Sequence, residues 1–154
     1  RHNGNWGFLY DTRTDEMTLA PVYDCGSCLY PQADDEIMRK VLSNESDLNY
    51  RIFEIPTSAI MLNGKKIKYF DFISSLQNAD CNRALKRIVP RVDMAKIRRI
   101  IEDTPFISEL QKRFYTMMLE KRKERILDFS LMKLERGKIE PVHKHSARQD
   151  RDER

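Results

Sequence analysis

Long apolar runs are missing from this 154-residue chain, and no stretch approaches the roughly 18 to 20 residues a membrane-spanning helix needs. No signal peptide opens it either. Glycine and proline are scarce, five and six, which excludes a fibrous or low-complexity protein. Cysteine is scarcer still. Cys25, Cys28 and Cys81 make an odd count, which offers no disulfide framework and points to a reducing, cytoplasmic setting. Cys25 and Cys28 form a C-x-x-C pair, but no second pair exists, and His143 and His145 lie far off in a polar tail, so a zinc site is disfavoured. A redox pair would want a helix N-terminus and a thioredoxin-like setting that this stretch lacks. The initiator methionine is also missing. The chain starts at Arg1, within what reads as a motif, and truncation is the simplest expectation.

What is present fits one modest, helix-rich domain: 40% hydrophobic and 34% charged residues. The 28 basic and 24 acidic residues leave a formal charge of +4, which permits phosphate-bearing partners without demanding them. The run Lys121, Arg122, Lys123 and Arg125 reads first as a solvated helix face, with contact to DNA or a partner protein as the alternative.

Trp6–Tyr10 and Met17–Ala20 are short β-prone runs around a polar turn, a hairpin pattern that Pro21 ends. Pro21 to Gln32 reads as a loop. Ser58 to Ile67 forms a second hairpin pattern around Asn63-Gly64. Helices are expected over 33–42, 72–77, 81–89, 93–102 and 107–135, while Ser43 to Tyr50 reads as polar and irregular. Asp93 is placed to cap one helix, and Pro105 or Ser108 to open the longest. Met94, Ile97, Ile100 and Ile101 share one helix face. Ile107, Leu110, Phe114, Met117 and Met118 share another. From Arg136 the sequence has no apolar periodicity, so 136–154 reads as a charged, disordered tail.

The chemistry-bearing residues stand first. Arg1-His2-Asn3-Gly4-Asn5 precedes the first hairpin, and Tyr23-Asp24-Cys25-Gly26 follows it. Phosphoryl transfer uses magnesium ions that bridge nucleotide phosphates, held in kinases by an Asn and a following Asp. Both supply hard oxygen ligands. Asn5 alone would be an ordinary turn residue, and so would Asp24. Their joint spacing around a hairpin, with His2 in place, favours magnesium ligation.

Arg1-His2-Asn3-Gly4-Asn5 resembles the Asp-Arg-His-x-x-Asn catalytic loop of HipA-like kinases, a loop order also similar to that of phosphoinositide kinases. Leu19-Ala20-Pro21-Val22-Tyr23-Asp24 resembles the HipA-family segment that delivers the magnesium aspartate, and Leu29-Tyr30-Pro31 is similar to a branch of that family. The resemblance spans about residues 1–135. It implies an α+β, mostly helical fold: a protein-kinase-like C-terminal lobe with short N-terminal β-hairpins and the N-terminal lobe missing. It implies that Asn5 and Asp24 bind Mg2+ beside ATP, and that His2 shapes the catalytic loop or touches the transferred phosphate. The family's catalytic Asp would stand immediately before Arg1. The implied activity is a Ser/Thr protein kinase acting on a protein substrate, with the piece itself inactive. An antitoxin or DNA-binding partner protein is a further implication, and a lipid substrate stays open. Two other readings stand beside it: a catalytically dead kinase-fold interaction module of a toxin–antitoxin pair, and a basic helical nucleic-acid-binding domain. If a lobe is missing, Trp6, Phe8, Leu19, Val22 and Tyr23 should include an uncovered apolar patch.

Overall fold

The longest helix expected from the sequence, over 107–135, is in this computed structural model a near-continuous rod with a widened turn inside it. The structure describes residues 7–24, 29–30, 32–57 and 61–137. In chain order these form strands β1 (Phe8–Asp11) and β2 (Glu16–Leu19), helices α1 (Asp35–Ser43) and α2 (Glu45–Phe53), and strands β3 (Met61–Leu62) and β4 (Lys65–Lys66). Helices α3 (Tyr69–Ser75), α4 (Ala79–Ile88), α5 (Met94–Asp103), α6 (Glu109–Arg122) and α7 (Phe129–Arg136) follow. A 3-10 turn, Val89–Arg91, joins α4 to α5, and a π-helical stretch, Lys123–Asp128, joins α6 to α7. The fold is α+β and mostly helical.

Local chemistry sets most boundaries. Ser108 and Gln111 form a reciprocal capping box at the start of α6. Asp93 caps α5 by accepting from the amides of Ala95 and Lys96, as the sequence suggests. Asp34 is the cap of α1 rather than its first turn. Asn78 caps α4, which starts at Ala79, two residues ahead of the expected start. Asn63 and Gly64 both take positive φ, 52° and 75°, the backbone a two-residue hairpin turn needs.

One helix was not foreseen. Residues 45–53 form α2, although 43–50 reads as polar and irregular. Asn44 accepts from the amides of Ser46 and Asp47, and Leu48 and Ile52, one turn apart, bury almost completely. Two apolar residues at the right spacing outweigh the polar composition. The helix expected at 72–77 begins earlier, at Tyr69, and ends where Leu76 turns left-handed. The tail is described only as far as Gly137; the remainder of 136–154 lies outside the described residues.

The core gathers Met38 and Val41 of α1, Leu48 and Ile52 of α2, Phe114 and Met118 of α6, and Ile126. Phe114 is fully enclosed. Along the rod Phe114, Met118, Ile126 and Ser130 are buried, all at multiples of four residues. A helix of 3.6 residues per turn would rotate such a stripe steadily away from the core. The wider π turn takes out part of that rotation. The Lys123–Asp128 ion pair, at 2.7 Å, spans the five-residue step.

Helices α1, α2 and α5 pack on α6, and α3 and α4 pack on α7. Cross-pairs of Arg98 with Glu120 and of Glu102 with Lys112 show that α5 runs antiparallel to α6. On α5 the expected shared face is only partly buried: Ile101 is inside, but Ile100 is 67% exposed. Its position, one residue before Ile101, turns it about 100° off the packed side.

Replacing Phe114 with Ala should cost about 3 to 5 kcal/mol of unfolding free energy, a large fraction of a domain this small. Ile100→Ala should change stability by less than about 0.5 kcal/mol. Urea denaturation of both variants checks the contrast.

Candidate functional site

The first hairpin is built on the register Phe8 to Leu19, Leu9 to Thr18, Tyr10 to Met17 and Asp11 to Glu16. Side chains alternate between the faces of a strand pair, so Phe8, Tyr10, Met17 and Leu19 share one face. All four are more than half exposed. Phe8 is therefore not the core residue its aromatic character suggests. Val22 and Tyr23 just beyond the hairpin are exposed too. Trp6, also expected on this patch, lies outside the described residues.

The base of the hairpin positions Asp24. The Ala20 amide donates to the Gly7 carbonyl at 2.9 Å, closing the two strands. The chain then turns so that the Tyr23 hydroxyl lies 3.6 Å from where a Cβ on Gly7 would stand. Asp24 follows in the left-handed region, φ 48°, and its side chain is exposed. Aspartate tolerates this conformation better than most residues. His2 and Asn5, the other residues expected in the site, lie outside the described residues, as do Cys25 and Cys28. Among the described residues no group of three or more His, Cys, Asp or Glu side chains could hold a metal ion.

The chain beyond Asp24 is anchored by a cluster that the sequence does not reveal. Tyr30, left-handed at φ 56°, packs edge-on to Phe114 and donates its hydroxyl toward the carbonyls of Arg51 and Ile55, both at 2.7 Å. Arg122 reaches the same place from α6. Its Nη2 donates to the Tyr30 hydroxyl at 2.5 Å, to the Arg51 carbonyl at 3.1 Å and to the Ile55 carbonyl. Its guanidinium lies over the rings of Tyr30 and Tyr69, 5.3 and 5.8 Å from their centres. The Tyr69 hydroxyl donates to the Ile52 carbonyl. Three side chains therefore satisfy the carbonyls that the end of α2 leaves without helical partners.

Burial, partly opposed by the Arg122 and Arg51 charges, pushes the Tyr30 phenol up to about 12. The Tyr69 phenol is also raised, again by burial first. Cys81, on α4, has its thiol pushed up by partial burial.

This cluster corrects the reading of Lys121, Arg122, Lys123 and Arg125 as a solvated face. Lys121 pairs with Glu124 and Lys123 with Asp128. Arg125 reaches across to Glu45 of α2 at 2.7 Å and to Asn49. All four cations are engaged within the fold. The one signal in the sequence was spacing: Arg122 stands four residues after Met118 and four before Ile126.

No family model matches the chain. It is 54% identical over 129 residues to the serine/threonine-protein kinase CtkA of Helicobacter pylori, a match that covers 83% of this chain and 40% of that protein. The structure superposes on the crystal structure of a Helicobacter pylori proinflammatory kinase, CtkA, with a TM-score of 0.83 and 50% sequence identity. That match covers 90% of this chain and 50% of the other. The chain is therefore homologous to part of a Ser/Thr protein kinase and shares its fold there. It spans well under two thirds of the length of either relative.

Because the folded state raises the Tyr30 pKa from 10.0 to about 12, the protonated phenol's contribution to stability is present in full below pH 10 and is lost as pH rises through about 12. Tyr30→Phe removes this titration. The stability gap between wild type and Tyr30→Phe should narrow across that window, which denaturant unfolding at pH 9 and pH 11.5 would show.

Proposed function

We propose that this chain is the C-terminal lobe of a HipA-like Ser/Thr protein kinase that transfers the γ-phosphate of ATP to a protein hydroxyl in the cytoplasm. The observation that carries the reading is the 54% identity, over 83% of the chain, to a serine/threonine-protein kinase. The order of residues supports the finer statement. Asn5 stands two residues before Gly7, and Asp24 follows Tyr23, whose hydroxyl returns to Gly7 at the hairpin base.

An exposed carboxylate such as that of Asp24 suits magnesium, a hard cation that prefers oxygen ligands. Magnesium keeps water and phosphate ligands and takes one or two side chains from the protein. Asp24 and Asn5 are the residues that would hold it, and there it would neutralise charge on the nucleotide phosphates. Asp24 supplies a fixed negative oxygen at the hairpin base, and Asn5 a neutral one. By the same resemblance, His2 would shape the catalytic loop or touch the transferred phosphate. The catalytic Asp, placed by the resemblance just ahead of Arg1, would accept the substrate hydroxyl proton. The exposed apolar face of Phe8, Tyr10, Met17 and Leu19 suits a cleft wall that a second lobe covers, since monomers rarely leave such patches bare.

In the full-length protein Asp24→Asn should lower kcat for phosphate transfer at least about 100-fold, because it removes charge stabilisation of the transition state. Circular dichroism of the variant checks that the fold is kept, as expected for an exposed side chain and a residue type that tolerates a positive φ. Transfer of labelled phosphate to protein measures it. Activity within a few-fold of wild type would overturn the assignment of Asp24. The 154-residue chain alone should transfer no phosphate from labelled ATP.

A further inference from the structure

The basic surface of this protein is not where its densest basic run lies. With Lys121 to Arg125 engaged internally, the surplus falls on α4, the 3-10 turn and α5. Between residues 83 and 99 seven arginines and lysines meet one acid, Asp93. That is a net +6 within a chain whose total is +4, so the rest of the molecule is net acidic. Arg83, Lys86, Arg87, Arg91, Lys96 and Arg99 are all exposed. Helix α4 packs on α7 and α5 on α6, and these side chains lie on the solvent-exposed parts of the two helices and the turn between them.

Some of the charge is compensated. Arg83 pairs with Asp80, Lys96 with Asp93 at 3.7 Å, and Arg98 with Glu120. Arg87, Arg91 and Arg99 have no acidic partner among the described residues. Arg83 and Arg87 are one helical turn apart on α4, where like charges repel, and Arg91 continues the four-residue spacing into the 3-10 turn. Folding gains nothing from that arrangement; an anionic ligand would. Five of the seven cations are arginines, whose planar forks pair two-pronged with carboxylate or phosphate.

Two isoleucines on the same elements narrow the class of ligand. Ile88 is 48% exposed and Ile100 67%. Ile88 stands three residues before Arg91, and Ile100 stands four after Lys96 and next to Arg99, within the charged rows. Nucleic-acid backbones are held by polar and charged contacts, to which exposed isoleucines add little. A protein partner buries such side chains at the centre of a contact ringed by charge. We propose that the outer face of α4 and α5 is a docking surface for an acidic protein segment that carries apolar anchors.

The test uses an 18-residue peptide with glutamates on one helical face and leucines on the other, and a mixed-sequence 20-base-pair DNA duplex, whose charge per length is the higher of the two. Each is titrated against the 154-residue chain and against the full-length protein by fluorescence anisotropy. Two variants are compared: Arg87→Glu/Arg91→Glu/Arg99→Glu, and Ile88→Ser/Ile100→Ser. All five positions are exposed and the three arginines are unpaired among the described residues, so both variants should fold, which circular dichroism checks. The expected result is peptide binding that weakens at least about tenfold in the charge-reversed variant and about five- to tenfold in the isoleucine variant. Duplex binding should be weaker than peptide binding and indifferent to the isoleucines. Three results would overturn the proposal: no peptide binding, peptide binding that ignores either set of substitutions, or a duplex that binds more tightly than the peptide.

Discussion

A half-buried guanidinium ties the helices of this structure together. Arg122 pairs with no acid among the described residues. Its charge is met by the Tyr30 hydroxyl, by the carbonyls of Arg51 and Ile55, and by the faces of two tyrosine rings. An unpaired charge in such a place would be prohibitive in an apolar core. Here the oxygens at the end of α2 are themselves short of donors, so each group solves the other's problem. Through this contact α6 grips α2, α3 through Tyr69, and the chain that returns from Asp24 through Tyr30. The π stretch that starts at the next residue keeps the rod's buried stripe in register on either side of Arg122.

The candidate site depends on that grip for its geometry. The hairpin is a light structure: every strand residue except Asp11 is exposed. Two described anchors bracket the segment that holds Asp24. One is the hairpin base, where Ala20 bonds Gly7 and Tyr23 folds back. The other is Tyr30, in the helical core. Left-handed residues stand at both ends, Asp24 and Tyr30. A tyrosine in that region carries a cost of roughly 1 to 2 kcal/mol, which the bonds of its hydroxyl and its contact with Phe114 offset.

Much of this was legible in the sequence, for identifiable reasons. Asn63-Gly64, Asp93 and Ser108 announce their turn and caps because local backbone chemistry demands those residues. The Phe114–Met118 stripe announces a buried helix because its period is helical. Helix α2 was missed because only two of its residues, Leu48 and Ile52, are fully buried, and its first half is polar apart from Leu48. The role of Arg122 was missed because composition treats consecutive cations as one patch, while a helix sends each of them in a different direction. Ile100 misled in the reverse sense, as an apolar residue that the packing leaves outside. The candidate functional residues, His2, Asn5 and Asp24, stand out only as a motif. Asp24 carries no burial or periodicity signal, and its meaning comes from the residues around it and from the likeness to a kinase.

The account rests on Asp24 and Asn5 as the ligands of one metal site at the base of the first hairpin. The most direct measurement is paramagnetic broadening of amide resonances by substoichiometric Mn2+ with ATP, in isotope-labelled full-length protein. The account predicts that the signals of Gly7, Tyr23, Asp24 and the Asn5 side chain broaden first, and that Asp24→Asn abolishes the effect. Broadening centred elsewhere, or unchanged by Asp24→Asn, would contradict it.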